Sequence, residues 1–334
     1  MNAKDKLMAI LAVAIVAISA VAMSVPVMGE NATTQAVVTG SGTPPVVEEK
    51  FELNDDGDPL HVQPGTQVVP VPDANKEVCT YVVAWDPNGA SNINRVWITV
   101  HNPINAQVAS GDTLAGTIVE LNYTEAVVAT QAAYDQGLIT DARRVDINEH
   151  IYNNEWRMWK FCFELTNCDM AGDYTVTAKA NDAQGGTGTL INTFEYLSIK
   201  ELAIDFNTID YGIIVPGAKQ IVSGDTNFGT SNAPTVRNRA NDPFKLRISA
   251  TDMVGASDPS NKILATNLDA HVYGVDVPGG SDIDEEKNLD YDPGILFSPI
   301  IDPCTIEKID FSLEQGTICS DSYTGTITLE PVSP

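Results

Sequence analysis

Asn54-Asp55-Asp56-Gly57-Asp58 sets four oxygen-bearing side chains around one glycine. Calcium is a hard cation that takes about six to eight oxygens, and short acidic loops turned by glycine supply them. The segment does not continue as an EF-hand, because Pro59 follows and no glutamate stands at the twelfth position. The alternative is a polar turn at the entry to a folded domain. Calcium, where bound, is expected at Asp55, Asp56 and Asp58, and no other cofactor is expected. Asp282, Asp284, Glu285 and Asp290 form a weaker acidic group, for which a solvated face in a glycine-rich loop is the ordinary explanation.

Catalytic templates are absent. The chain has no G-x-S-x-G elbow, no H-E-x-x-H, no P-loop and no G-x-G-x-x-G after a strand, and His61, His101, His150 and His271 lie far apart. The protein is therefore expected not to be an enzyme. Trp156, Trp159, Phe161 and Phe163 are a different kind of candidate, since exposed aromatics stack on sugars whereas aromatics on a central strand fill a core. Strand alternation puts Trp156 on the face opposite Trp159, so at most one of them can be a surface platform.

The five cysteines, Cys79, Cys162, Cys168, Cys304 and Cys319, form no C-x-x-C and have no histidine at zinc-ligand spacing. In an oxidising compartment they imply one bridge per domain and one thiol left over. Cys304 and Cys319 flank one strand-and-turn unit and are expected to pair. In the first domain Cys168 is expected to pair with Cys79, the start of an early strand meeting a late turn at one end of a sandwich. Asn31-Ala32-Thr33 and Asn122-Tyr123-Thr124 are glycosylation sequons.

The address of the protein is written at its N-terminus. Lys4 and Lys6 precede an apolar run from Leu7 to Met23, followed by Ser24-Val25-Pro26-Val27-Met28-Gly29, the plan of a secretory signal. Residues 1–29 are thus expected to be a signal peptide, with the mature chain starting near Glu30. The run sits at the lower limit of about 17 residues for crossing a bilayer, so an uncleaved anchor is the alternative. No later stretch is long enough to span, and Thr326 to Pro334 carries no hydrophobic tail. Acids outnumber bases 45 to 19, for a net charge of −26, and the excess lies in both halves. Such a field repels phosphate backbones and anionic lipid, which argues against nucleic acid as a partner. It suits a solvated surface in salty surroundings, or a store of divalent cations.

What must position these residues is a set of short alternating strands. Val78–Ala84 stops at the turn Asp86-Pro87-Asn88-Gly89, Arg95–Val100 follows, and Trp156–Leu165, Asp173–Ala180 and Thr189–Leu197 complete a first set. Glu125–Gln136 predicts one short inserted helix ended by Gly137. The pattern restarts with Leu202–Phe206, Pro234–Arg237, Phe244–Ala250, Asp310–Leu313 and Tyr323–Leu329, while Gly279–Pro293 predicts a long acidic loop. The fold expected is all-β: two tandem immunoglobulin-like β-sandwich domains over 51–199 and 200–334, preceded by a flexible leader over 30–50.

Ala84-Trp85-Asp86-Pro87-Asn88-Gly89, Ala171-Gly172-Asp173-Tyr174-Thr175-Val176 and Asn181-Asp182-Ala183-Gln184-Gly185 resemble the immunoglobulin-like and PKD-like repeats of archaeal surface proteins. Val215-Pro216-Gly217, Pro234–Asn238 and Leu246–Asp252 are similar to the sandwich domains of secreted methanogen proteins. The resemblance implies a cell-surface protein: a sheath, fibre or surface-layer component that associates with copies of itself or with other surface proteins. A carbohydrate- or calcium-binding adhesion module is the alternative. Gln35-Ala36-Val37-Val38-Thr39 in the leader is β-prone and suits a strand donated to a neighbour, or else the leader is a tether.

Overall fold

The computed structural model describes residues 42–53, 66–274, 285–290 and 293–334. Nine strands form the first half: β1 Val46–Leu53, β2 Gln67–Val68, β3 Asn75–Trp85, β4 Ile93–His101, β5 Gln107–Asp112, β6 Val119–Glu120, β7 Trp156–Thr166, β8 Gly172–Asp182 and β9 Thr187–Tyr196. They pair as β1-β3-β7-β6 and β2-β9-β8-β4-β5, antiparallel throughout except that β2 runs parallel to β9. With β1, β3, β7 and β6 as strands A, B, E and D, and β9, β8 and β4 as G, F and C, this is the immunoglobulin order. Tyr174, near the start of strand F, donates its hydroxyl to the Met170 carbonyl at 2.9 Å, a tyrosine corner.

The chain between β6 and β7 makes two helices, α1 Tyr123–Asp135 and α2 Asp141–Tyr152. The first lies where the residues predict one. Its capping box uses Asn122, whose side chain accepts from the Glu125 N–H while the Glu125 carboxylate accepts from the Asn122 N–H. The second is an addition to the expected fold. In DARRVDINEHIY only Ile147 and Ile151 are buried, an i,i+4 stripe too narrow to stand out, and Thr140 caps it by accepting from the Arg143 N–H.

The helices make the first half three layers thick. Val78, Val82 and Ala84 of β3 and Trp159, Phe161, Phe163 and Leu165 of β7 face the second sheet. Cys79, Tyr81, Val83 and Met158, on the other face, meet Ala126, Ala129, Ala133, Ile147 and Ile151 of the helices. Burial on both faces explains why Val78–Ala84, apolar but for Thr80, does not alternate with polar residues. The start of the fold also shifts. Val46–Lys50, expected to be leader, belongs to β1, with Val47 and Lys50 buried and a register shift between Val47 and Glu49.

Twelve strands follow: β10 Leu202–Ile204, β11 Lys219–Val222, β12 Thr235–Asn238, β13 Phe244–Ala250, β14 Met253–Gly255, β15 Lys262–Ile263, β16 Leu268–Val272, β17 Glu285–Asn288, β18 Ile295–Ile301, β19 Ile306–Glu314, β20 Tyr323–Thr324 and β21 Ile327–Val332. One sheet runs β10-β12-β19-β16-β17, with β11 also on β19; it faces β18-β13-β21 and the small sheet β15-β14-β20. The alternation in β13 buries Phe244, Leu246, Ile248 and Ala250 against Leu268, Ala270 and Val272 and against Ile309, Phe311 and Leu313. The stretch expected to be a long acidic loop contains β17. Glu285-Glu286-Lys287-Asn288 has no apolar residue to betray a strand, because it is an edge strand held by its ladder to β16 and by Lys219, whose Nζ lies 2.5 Å from Glu286.

The two halves are bolted together. Asp73, in the β2–β3 connection, pairs with Arg237 at 2.9 Å and Arg239 at 2.6 Å. Buried Asn241 donates to the Leu197 carbonyl at 2.8 Å and accepts from the Ile199 N–H at 2.9 Å. Asn167 donates to the Arg239 carbonyl at 2.8 Å. No described helix is long and apolar enough to cross a membrane.

Candidate functional site

The cysteine pairing differs from the expected one at both bridges. Cys79 pairs with Cys162 and Cys168 with Cys304, leaving Cys319 free and exposed. Cys79 cannot reach Cys168 because it lies mid-strand in β3, directly opposite Cys162 of β7 in the register and 4.1 Å from it between Cα atoms. Cys304 and Cys319 lie beyond opposite ends of β19, a nine-residue strand about 30 Å long. The turns at Cys168 and Cys304 instead meet where the halves join. Two disulfides fit an oxidising compartment.

The remaining expected sites separate. Asp55, Asp56, Asp58, Asn31, Asp282 and Asp284 lie outside the described residues. Glu285 accepts from the Ser298 N–H at 2.6 Å and pairs with Lys287 at 2.9 Å. Asn122 is exposed and its Oδ1 caps α1, which leaves Nδ2 as the atom a glycan would take. Trp159, Phe161 and Phe163 are core, whereas half-buried Trp156 stacks against His150 at 4.3 Å with the Arg143 guanidinium 5.3 Å from its centroid. Glu77, Cys79 and Cys162 converge closely enough for metal ligands, but both sulfurs are spent in the disulfide.

Two turn residues that read only as punctuation turn out to be buried acids. Asp86 accepts from the Asn88 N–H at 2.7 Å, and Asp182 from the Gln184 and Gly186 N–H groups at 2.9 and 2.7 Å. In each the second oxygen is buried without a hydrogen-bond partner among the described residues.

An open apolar surface lies in the second half. Between β10 and β11 the chain runs without strand pairing, and Phe206, Ile209, Tyr211 and Ile214 lie partly buried against the core. Beside it lies a groove of about 460 Å³, walled by Phe206, Ile209, Tyr211, Met253, Ile327 and Leu329. An adjoining hollow of about 570 Å³ continues past Tyr211 and Ile213 to Ile318 and Tyr323. Ile213 is 89% exposed. The Tyr211 hydroxyl is buried without a partner among the described residues, and burial, with Asp269 adding, pushes its pKa up. The groove lies beside β21 and β10, each of which is paired on one side only among the described residues. Edge strands of this kind present unpaired N–H and C=O groups to an incoming strand. The polar part of the wall is a few hydroxyls, the Asn207 carboxamide and Asp210, whose Oδ1 already accepts from the Gly212 N–H at 2.8 Å. Such a lining can bind extended apolar chain.

No family model matches the chain, and no curated protein matches it. Among solved structures it is similar to the CsuC–CsuE chaperone–tip adhesion subunit complex of archaic Csu pili from Acinetobacter baumannii, with 7% identity, 80% of this chain and 97% of that chain covered, and a TM-score of 0.29. It is similar to the C-terminal domain of the Streptococcus pyogenes antigen I/II-family protein AspA, with 10% identity, 88% and 97% covered, and a TM-score of 0.23. It is also similar to a carbohydrate-binding module of the β-sandwich superfamily, with 10% identity, 88% and 99% covered, and a TM-score of 0.20. At these scores the likeness carries no shared activity, and the immunoglobulin order rests on the strand pairing itself.

Proposed function

We propose that this protein is a non-catalytic structural component of the cell exterior that works by protein–protein assembly. The observation that carries the reading is the apolar groove beside β21 and β10, set on two sandwiches that a disulfide and the Asp73 and Asn241 contacts lock into one stiff piece. The occupant is Gln35–Thr39 of a second copy, a short segment whose paired valines and threonine favour an added strand. The apolar run Leu7–Met23 and the two disulfides support an extracytoplasmic address for it.

The test is sedimentation of the mature chain in native salt, with and without Val37→Pro and Val38→Lys. Loss of assembly in that variant supports strand donation; undiminished assembly makes the leader a tether and rules donation out. A mature chain that stays monomeric overturns the building-piece reading in favour of a free binding module for sugar or calcium. Truncation at Lys50 is unsuitable here, because it would remove Val47 and the Glu48 and Glu49 partners of Arg143.

A further inference from the structure

Lys50 and Glu52 are neighbours on one face of β1, and both are sealed inside the first sandwich, with side chains 0% and 1% exposed. Lys50 Nζ lies 2.7 Å from Glu52 Oε1. The other carboxylate oxygen, Oε2, accepts from Nδ2 of Asn192 on β9 at 3.3 Å, and the same Nδ2 reaches the Lys50 carbonyl at 3.2 Å. Thr80 lies 3.4 Å from Glu52 Oε1, and Thr66 donates to the Glu52 carbonyl. The register sets Val82 beside Lys50 and Val176 beside Asn192, and neither valine is exposed to solvent. An amine and a primary amide therefore touch the two oxygens of one buried carboxylate. Asn192 Oδ1 is buried there without a partner among the described residues.

A buried lysine beside a buried glutamate is costly as an ion pair. Replacement of the polar cluster by apolar side chains would be no less stable, so stability alone does not account for it. Desolvation drives the Lys50 pKa down, opposed by Glu52, and so favours the neutral amine, which is the nucleophilic form. Fixed contact with one carboxylate supplies the proximity that turns a slow amide exchange into an intramolecular one.

We propose that Lys50 and Asn192 become joined by an intramolecular isopeptide bond, with Glu52 carrying the proton. In the step, the Lys50 Nζ lone pair attacks Asn192 Cγ. Glu52 takes a proton from Nζ and passes it to Nδ2; the Cγ–Nδ2 bond breaks with its electron pair, and ammonia leaves. One N–C bond forms and one breaks, and neither an oxidant nor a cofactor is needed. The bond ties the first strand of the sandwich to its last. The inference rests on these three residues and stands whether or not the protein assembles.

The mature chain, folded, then reduced and alkylated, is weighed intact and digested with trypsin. The expected result is a mass lower than the sequence requires by one ammonia, no cleavage after Lys50, and a branched peptide joining the Lys50 and Asn192 segments. Glu52→Gln is expected to restore the lost mass and the linear Lys50 peptide while circular dichroism still shows the folded sheet. Linear, unmodified Lys50 and Asn192 peptides from the folded parent overturn the proposal. So does a missing ammonia that maps to a succinimide at Asn192-Thr193 without a branch. Full branching in Glu52→Gln refutes the role given to Glu52.

Discussion

Removal of the Cys168–Cys304 bridge is the sharpest test of how the two halves are held. The bridge closes a sequence separation of 136 residues. Loop-closure entropy for that length corresponds to about 5 kcal/mol against the unfolded chain. The other ties across the junction are weaker: the Asp73 pairs with Arg237 and Arg239 are about one-third exposed and contribute about 1 kcal/mol or less each. The hydrogen bonds of Asn167 and Asn241 add about 1 kcal/mol each. Cys168→Ser with Cys304→Ser, in a chain that keeps Cys79 and Cys162, is therefore expected to lower Tm by about 10–20 °C, taking roughly 2–4 °C per kcal/mol for a cooperative unit of this size. Scanning calorimetry should also show one transition broadening towards two, as each half melts on its own core. A double variant that melts within about 2 °C of the parent would refute the reasoning, because none of the Asp73, Asn167 and Asn241 contacts is large enough to replace the bridge. Recovery of a Cys304–Cys319 peptide from the parent would refute it more directly.

Three smaller perturbations follow from the same geometry. Cys319 is the one thiol available to an impermeant reagent, so native protein should take up one label, at that residue. Arg143→Ala removes the pairs at 2.9 Å to Glu48 and Glu49 that fasten α2 to β1, and should cost about 1–2 kcal/mol in urea unfolding, whereas Arg144→Ala, which loses an i,i+3 pair with Asp141, should cost under about 0.5 kcal/mol; equal costs would remove Arg143 as the fastening. Burial holds the Asp302 pKa above the ordinary aspartate value, and its Oδ1 has no partner among the described residues. A folded-state pKa above the unfolded one means a penalty that is absent below the unfolded pKa and complete above the folded one. Asp302→Asn should then raise Tm at neutral pH and leave it unchanged below about pH 4; a lower Tm at neutral pH would show the carboxylate to be favourably placed.

Where one face of a strand meets a core and the other meets water, the residue pattern is enough. Phe244–Ala250 and Asp173–Ala180 alternate, and they form β13 and most of β8 at the expected places. The helix at Tyr123–Asp135 is legible because its cap and its glycine stop are both written locally. What fails is whatever depends on distant partners. The polar edge strand Glu285–Asn288 is defined by its neighbour, and α2 by a sheet face it covers with only Ile147 and Ile151. Cysteine spacing misleads for the same reason, since proximity along the chain across β19 means separation in space. Lys50, Glu52 and Asn192 carry no signal as residues, because nothing local shows that Glu52 and Asn192, 140 positions apart, meet inside one sandwich.

The bridges also decide how the protein bears tension. Pulled from Gly42 and Pro334, the oxidised chain has a covalent short-cut: along β1 and β3 to Cys79, across to Cys162, on to Cys168, across to Cys304, and out. That path holds roughly 75 residues and so extends to only about 250 Å at about 3.5 Å per residue. With both bridges reduced and no further link, roughly 290 residues extend to about 1,000 Å. A Lys50–Asn192 bond survives reduction and would stop the reduced chain near roughly 150 residues, or about 500 Å. Single-molecule stretching with and without reductant therefore reads all the links at once. An oxidised chain that reaches about 1,000 Å would refute the disulfide pattern. A reduced chain that halts at about half that length would place the third link on the load path, where it keeps the first sandwich tied from first strand to last while the second sandwich yields.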